Sequence, residues 1–238
     1  MDFNFQLLGS YKNFNPRGYL DIGANTGEFA RIMLKTFPVI EDVLLIEANE
    51  NCSKYLEKLH LNYKICLLSD SEKTLDFYMS PKSPTGTGNS YFRENTPWYS
   101  DVQPVKKSAV TLDKALSSYK CNFDLIKIDT QGSELDILKG ARETLTKAKY
   151  IILECSADHS ANYNSGAPKE KDINEYLRSF GFSHSYTIFE HIWREKEELI
   201  PGIRYGKVFQ KDVLFSRGKM VPSVKTYFLL LTMLAKKI

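Results

Sequence analysis

Residues 125–140 read LIKIDTQGSELDILKG, an apolar strand that turns into a helix within a few residues. Continuous apolar runs of this kind are typical of strands buried on both faces of a parallel sheet. Ser133 and Asp136 have the spacing of a capping box at the start of the helix. Charged side chains such as Lys127 and Asp129 are unfavourable in a packed apolar core, so they indicate that the strand ends at a functional site. The alternative for Lys127 is a lysine whose charge is paired with a nearby acid.

The same alternation of strand and helix continues on both sides of this stretch. Short apolar runs predict strands at residues 18–23, 43–48, 63–70, 123–129 and 149–156. Helical spacing of apolar residues predicts helices at residues 27–37, 49–60, 133–148 and 169–182. Two later runs, residues 183–189 and 207–217, predict an antiparallel strand pair at the C-terminal end. The pattern predicts an α/β fold with a doubly wound, mostly parallel sheet, in which ligands bind outside the carboxyl ends of the strands.

Length and composition set the outer limits. The chain has 238 residues and 42% hydrophobic content, which predicts one domain over residues 1–217 with a lead-in at residues 1–17. The net charge of +3 is too small to indicate nucleic-acid binding. The four cysteines form no C-x-x-C pair, and the N-terminus lacks the pattern of a signal peptide. We therefore expect a cytoplasmic protein that binds no nucleic acid.

The C-terminal residues 218–238 predict an apolar or amphipathic helical extension. Its apolar run, residues 227–235, is shorter than the roughly 20 residues that a membrane-spanning helix needs. It could pack on the domain, form a contact in a homo-oligomer, or rest on a membrane surface as a peripheral anchor. Packing on the domain or on a partner is the favoured interpretation.

The first strand ends in the sequence LDIGANTG, residues 20–27. Gly23 and Gly27 allow a tight turn. The dinucleotide-binding fingerprint is not matched, because Asn25 and Glu28 occupy positions where it requires glycine. A carboxylate at Asp21 would repel a pyrophosphate and would suit a cationic ligand, such as the α-amino group of a methionine moiety. The alternative is an ordinary turn between a strand and a helix.

The next two strand ends indicate an adenosine site. Glu47 closes the second strand, where an acid can accept hydrogen bonds from both ribose hydroxyls. A nicotinamide cofactor would use the same acid, and a solvated acid at a helix start is the alternative. Ser69 and Asp70 end the third strand and could contact the adenine edge, although a plain turn explains them equally well.

The fourth and fifth strand ends carry candidates for catalysis. Asp129 should point into the crevice, and Gln131 and Glu134 follow it. Glu154 ends the fifth strand and His159 lies shortly after it, so that this pair could orient or deprotonate a substrate hydroxyl. The alternatives are a helix-start acid favoured by the helix dipole for Glu134 and a loop residue for His159.

Taken together, the blocks YLDIGANTGEFA, LLIEANENCSKYL, TLDKAL, FDLIKIDTQGSELDILKGA and IILECS resemble the FkbM family of S-adenosylmethionine-dependent methyltransferases. The resemblance covers residues 18–217, and its most specific part is the fourth block. The family typically shows Lys-x-Asp-x-Glu-Gly-x-Glu there, which matches Lys127, Asp129 and Glu134 in this chain. Gln131 departs from the pattern, because it stands where the family usually has a glutamate.

The resemblance implies a class I, Rossmann-like methyltransferase that binds S-adenosylmethionine and usually methylates oxygen, on sugars of glycans or on other small polar acceptors. It implies cofactor contacts from Asp21, Gly23, Ala24, Asn25, Gly27, Glu47, Ala48, Asn49, Ser69, Asp70 and Asp129. The long loop at residues 80–100 falls where family members often have a serine-containing loop near the active site. Substrate contacts are therefore expected from Asn89, Ser90, Tyr91 and Gln131.

Methyl transfer to oxygen requires a positioned acceptor and a group that takes its proton. The candidates for this catalytic work are Asp129, Glu134, Glu154 and His159. Asp129, Glu134 and Glu154 could also hold a divalent metal, but Gln131 removes one negative charge, and we expect no metal. Two other functions stay open: a degenerate methyltransferase-like domain that only binds a partner, and a nicotinamide-dependent oxidoreductase, which Asp21 and the missing glycines disfavour.

Overall fold

The computed structural model describes residues 5–156, 164–195, 205–226 and 229. A seven-stranded sheet forms its centre, with the strand order β3-β2-β1-β7-β8-β10-β9. Its strands are β1 (Gly18–Ile22), β2 (Asp42–Glu47), β3 (Asn62–Ile65), β7 (Leu125–Ile128), β8 (Tyr150–Ser156), β9 (His184–Ile192) and β10 (Val208–Ser216). The first five run parallel, and β10 pairs antiparallel with both β8 and β9. The expected mostly parallel sheet with an antiparallel C-terminal pair is confirmed.

A second, three-stranded sheet lies beside the first. It has the order β4-β6-β5 and consists of β4 (Leu67–Leu68), β5 (Lys73–Phe77) and β6 (Val105–Val110). The strand predicted at residues 63–70 is therefore wrong as a single element. It divides at Cys66 into β3 and β4, which belong to different sheets.

Helices cover both faces of the central sheet. They are α1 (Phe5–Leu8), α2 (Glu28–Thr36), α3 (Ser53–Leu56), α4 (Leu112–Ala115), α5 (Glu134–Lys139), α6 (Arg142–Lys147) and α7 (Glu170–Ser179). The helix predicted over residues 133–148 is two helices, because the chain turns at Gly140. A Cβ atom at Gly140 would lie 2.3 Å from the carbonyl oxygen of Ser69, so that only glycine allows this close approach.

The alternation of side chains along the strands divides the core into two layers. Leu20 and Ile22 of β1 pack with α5 and α7 residues on one face, whereas Tyr19 packs with Phe29 and Met33 of α2 on the other. Successive side chains of a strand point to opposite faces, so Asp21 lies on the same face as Tyr19. Asp21 stands directly opposite Lys127 of β7 in the strand register. Two charged residues thus face each other within the apolar layer under α2.

Among the described residues, no helix is long and apolar enough to cross a membrane. Most of the predicted C-terminal extension, and with it its proposed contacts, lies outside the described residues. Where it begins, the Thr226 hydroxyl donates a hydrogen bond to the Ser10 carbonyl at 2.9 Å, and Leu229 packs against the core layer under α2. This packing on the domain follows the favoured interpretation of the sequence up to that point.

Candidate active site

A cavity of about 380 Å³ opens where the parallel strands end. Its lining comes from the residues that follow β1, β2 and β7, from the end of β8, from the loop at residues 80–100, and from β9 and β10. This is the crevice at the carboxyl ends of the strands that the sequence pattern predicts.

The turn after β1 forms the floor of the cavity. Gly23 has φ 76°, and a Cβ atom there would lie 1.9 Å from the carbonyl oxygen of Asp129. A side chain at this position is excluded both by the left-handed conformation and by the backbone of the neighbouring strand. The backbone N–H groups of Gly23 and Ala24 donate to the carbonyl oxygen of Ile46, at 2.9 and 3.1 Å. The turn is thereby fixed to the end of β2.

Glu47 lines the cavity at the end of β2. Its two carboxylate oxygens accept hydrogen bonds from the backbone N–H groups of Asn25 (2.7 Å) and Asn49 (2.9 Å). Burial raises the pKa of Glu47, and these backbone donors oppose that rise. The carboxylate is held in one orientation and keeps further lone pairs for a ligand with hydroxyl groups.

Asp21 does not reach the cavity. Its side chain is fully buried, and its carboxylate lies 3.3 Å from the ammonium of Lys127, which also lies 3.3 Å from Asp129. Burial alone lowers the pKa of Lys127, but the two carboxylates outweigh burial and raise the pKa above its ordinary value. The structure therefore contradicts a direct ligand contact by Asp21, because the strand register directs its side chain toward Lys127. The alternative interpretation of Lys127, a lysine paired with nearby acids, is confirmed.

Ser69 and Asp70 also stay outside the cavity. Ser69 is fully buried, and the Asp70 carboxylate forms an ion pair with the Lys73 ammonium at 2.6 Å. Apolar side chains of Leu67, Leu68 and other residues line that part of the cavity instead. The sequence does not predict this apolar wall, because polar residues at the end of the strand were the expected contacts.

Glu134 belongs to the turn that follows β7. Its carboxylate accepts hydrogen bonds from the backbone N–H groups of Thr130 (2.9 Å) and Gly132 (3.0 Å), and burial raises its pKa to about 7. The predicted capping box is wrong, because the Ser133 hydroxyl donates to the carbonyl oxygen of Thr130 and does not cap α5. Glu134 does not line the cavity, so the structure contradicts its expected part in catalysis. Its carboxylate instead fixes the left-handed turn that carries Gln131.

Two carboxylates and one amide come together at the cavity, near the ends of β7 and β8. The side-chain nitrogen of Gln131 lies 3.2 Å from Asp129 Oδ1 and 2.7 Å from Glu154 Oε2. Gln210 of β10 donates a second hydrogen bond to Glu154 Oε2 at 2.8 Å. Asp129, Gln131 and Glu154 all line the cavity, so the structure brings these three predicted residues together.

The C-terminal strand pair adds residues that sequence reasoning missed. His191 of β9 lines the cavity, with its Nε2 atom 3.1 Å from Asp212 Oδ2 and 3.6 Å from Glu154 Oε1. Gln210 and Asp212 alternate along β10 and therefore share a face of the strand. The sequence shows that these two side chains share a face, but it does not show which face turns toward the cavity. His159, the histidine that the sequence favoured, lies outside the described residues.

The loop at residues 80–100 covers the other side of the cavity. The side-chain amides of Asn25 and Asn49 donate hydrogen bonds to the backbone carbonyls of Thr85 (3.0 Å) and Pro84 (2.6 Å). Through its hydroxyl, Ser90 donates to the carbonyl of Thr130 at 2.9 Å. The loop residues Asn89, Ser90 and Tyr91, for which substrate contacts are predicted, line the cavity, as do the predicted cofactor residues Asn25 and Ala48.

Comparison with known proteins gives three consistent findings. The model of the methyltransferase FkbM domain family matches residues 21–183. The 2-O-methyltransferase NoeI of Sinorhizobium fredii (strain NBRC 101917 / NGR234) is 29% identical over 154 residues, which is 58% of this chain and 62% of that protein. The chain thus matches less than two thirds of the length of this curated relative.

The crystal structure of methyltransferase FkbM from Methylobacillus flagellatus KT superposes with a TM-score of 0.53 at 14% sequence identity. The match covers 87% of this chain and 47% of that chain. At 14% identity, this similarity shows a shared fold and nothing more specific.

Proposed function

The chain belongs to the methyltransferase FkbM domain family, and on that premise we propose that it transfers the methyl group of S-adenosylmethionine to a hydroxyl group of a sugar or another small polar acceptor. The observation that carries the proposal is the position of Glu47, whose oriented carboxylate lines the cavity beside the glycine turn of β1. An acid at this position is suited to accept hydrogen bonds from both ribose hydroxyls of an adenosine.

The residues of the cavity fit the other parts of this cofactor. Leu67 and Leu68 provide an apolar wall for a flat adenine ring. Gly23 and Asn25 of the turn after β1 line the cavity and are suited to contact the methionine moiety. The carboxylate of Asp129 lines the cavity, and its charge favours a ligand with ammonium and sulfonium groups. When bound, S-adenosylmethionine supplies an electrophilic methyl group.

The chain itself must then hold the acceptor oxygen and take its proton. We assign the proton acceptor to Asp129, which lines the cavity and has 36% of its side chain exposed. Lys127 and Gln131 hold its two carboxylate oxygens, so that the base is fixed in place before the acceptor arrives. The name of the relative NoeI, a 2-O-methyltransferase, supports oxygen as the methylated atom.

Titration calorimetry tests the cofactor. We expect S-adenosylmethionine and S-adenosylhomocysteine to bind and NAD not to bind. Glu47→Ala should weaken binding at least tenfold, because it removes the acceptor for the ribose hydroxyls. Glu41→Ala is the matched control, since Glu41 is exposed, pairs with Arg17 and lies just before β2. Absence of binding by either methionine nucleotide would refute the proposal, as would an unchanged affinity of Glu47→Ala.

Mass spectrometry of a panel of sugars and phenols incubated with the cofactor tests the acceptor class. At saturating cofactor, Asp129→Asn should lose at least 100-fold in turnover of any acceptor found, because an amide cannot take a proton. Unchanged turnover by this variant would remove Asp129 from the reaction. Transfer to an amine alone would refute the assignment to oxygen.

A further inference from the structure

We propose that Glu154, His191 and Asp212 form a binding site for a divalent transition-metal ion in the wall of the cavity. Binding of the ion does not depend on the proposed function. This proposal departs from the expectation from the sequence that no metal is used, which considered Asp129, Glu134 and Glu154 and the charge lost at Gln131.

The distances between the three side chains are close to those of neighbouring ligands around one ion. His191 Nε2 lies 3.1 Å from Asp212 Oδ2 and 3.6 Å from Glu154 Oε1, and one ligand atom from each residue lies within 4.8 Å of the others. Metal bonds of about 2.0–2.2 Å to nitrogen and oxygen place neighbouring ligand atoms about 3.0–3.5 Å apart. The ion would fit between the three groups after small side-chain movements.

The backbone directs these side chains to one point. Asp212 stands directly opposite Glu154 in the pairing of β10 with β8. The pairing of β10 with β9 shifts register between Asp212 and Val213 and again between Val208 and Gln210. Such bulges redirect side chains and occur often next to functional sites. The ring of His191 is also held in place by Phe189, with ring centroids 5.0 Å apart.

The hydrogen bonds of Glu154 leave one of its oxygens available to an ion. Gln131 and Gln210 both donate to Oε2, at 2.7 and 2.8 Å, whereas Oε1 faces His191. Donors that hold one oxygen of a carboxylate orient the other toward the metal in known sites. The glutamine at position 131 thereby supports this metal ligand through a hydrogen bond, without adding a further carboxylate.

The local charges also favour a divalent cation. Glu154 and Asp212 have only 9% and 14% of their side chains exposed. The nearby ammonium of Lys127 is paired with Asp21 and Asp129. A bound ion of charge +2 would compensate the charge of the two carboxylates. One imidazole and two carboxylates form a nitrogen and oxygen set that suits Mn²⁺ or Zn²⁺ better than Ca²⁺.

Three protein ligands leave coordination positions open, and Glu154 and His191 both line the cavity. A hydroxyl group bound at an open position would lose its proton more readily and would be oriented for reaction. This use of the ion rests on the proposed function, whereas binding of the ion does not.

The test is metal binding by the full chain after removal of metals with EDTA and gel filtration. Electron paramagnetic resonance follows the loss of the free Mn²⁺ signal, and calorimetry follows binding of ZnCl₂. Each method should show one metal ion bound per chain, and binding should depend on the three residues. His191→Ala and Asp212→Asn should weaken binding at least tenfold. His184→Ala, at the opposite end of β9, is the matched control and should bind as the wild-type protein does. Circular dichroism melts confirm that the variants are folded, and Asp212→Asn preserves the shape of the side chain.

The proposal is overturned if neither ion binds saturably to the wild-type protein, which would leave His191 as a hydrogen-bonding partner of Asp212. It is equally overturned if the affinity is unchanged in both His191→Ala and Asp212→Asn. Binding of S-adenosylmethionine is measured separately in EDTA. Failure of metal binding with intact cofactor binding would therefore refute the metal site alone.

Discussion

The side-chain nitrogen of Gln131 lies 2.7 Å from the carboxylate oxygen Oε2 of Glu154. The same nitrogen also approaches Asp129 at 3.2 Å, so that one amide group joins two carboxylates at the wall of the cavity. A glutamate at this position would bring a third carboxylate to the same point, where like charges repel. Gln131, which departs from the family pattern, thus joins two carboxylates that a glutamate would repel.

Gln131→Glu should destabilise the metal-free protein in a pH-dependent way. At pH 8 the new carboxylate would be ionised beside Asp129 and Glu154, and the free energy of unfolding should fall by about 1–3 kcal/mol. At pH 5 the loss should be smaller, since a protonated glutamate can still donate one hydrogen bond. Urea denaturation at both pH values measures the difference. Gln131→Met removes the hydrogen-bond donor without adding charge, so its loss of unfolding free energy should be equal at pH 8 and pH 5. Equal stability of Gln131→Glu and wild type at pH 8 would contradict the interpretation.

Lys127→Met should leave the carboxylate of Asp21 buried without its cation. Removal of one partner of a buried ion pair costs about 3–5 kcal/mol, because the remaining charge is not solvated. Lys149→Met is the control, since the Lys149 ammonium is 61% exposed and pairs with Asp124 at 3.1 Å. Because this ammonium is solvated, loss of the pair should cost at most about 1 kcal/mol. Chemical denaturation measures the free energy of unfolding of both variants. Similar losses would show that the buried pair contributes no more to stability than the solvated one.

Glu134 should make the stability of the protein depend on pH between about 4.5 and 7. Its pKa is about 7 in the folded state, above the ordinary value of 4.5, so the folded state binds the proton more tightly. The stabilisation is therefore present below pH 4.5 and is lost as the pH rises through 7. Between pH 5 and pH 8, Glu134→Gln should reduce the fall in unfolding free energy by about 2–3 kcal/mol relative to wild type. The exposed Glu143→Gln should keep the wild-type dependence, and an unchanged fall in Glu134→Gln would refute the assignment.

Asn25→Gly should loosen the loop at residues 80–100. The substitution removes the hydrogen bond to the carbonyl of Thr85 and keeps the left-handed backbone, since Asn25 has φ 50° and glycine adopts that conformation freely. Loss of about 1 kcal/mol of local stability should speed tryptic cleavage after the exposed Lys82 about fivefold. Asn13→Ala removes a similar hydrogen bond, to the carbonyl of Lys219, and should leave this cleavage rate unchanged. Equal rates in Asn25→Gly and wild type would mean that the loop is held by other contacts.

The sheet was predictable because its inner strands are short, continuous apolar runs that end in acids. Glu47, Asp129 and Glu154 could be placed at one edge of the sheet, since parallel strands end at the same side. The boundary between β3 and β4 could not be predicted, because LLSD continues the apolar run although the chain passes to another sheet.

The errors in the site have a common physical cause. The sequence locates a side chain along its strand but does not identify the side chain that faces it on the neighbouring strand. Asp21 points to Lys127 because β1 lies beside β7, which is distant in the sequence. His191 and Asp212 reach Glu154 through antiparallel pairing and two register shifts, neither of which has a local signal.

The position of β9 and β10 has a consequence for the evolution of such proteins. The groups assigned to the cofactor come from strands early in the chain, whereas His191, Gln210 and Asp212 come from a late pair of strands at the border of the sheet. A border pair can be lengthened, shifted or exchanged while the interior strands keep their neighbours. Selection can therefore alter this wall of the cavity without rebuilding the turn after β1 or the end of β2. Related chains are expected to differ more in their last two strands than in the strands that carry Glu47 and Asp129.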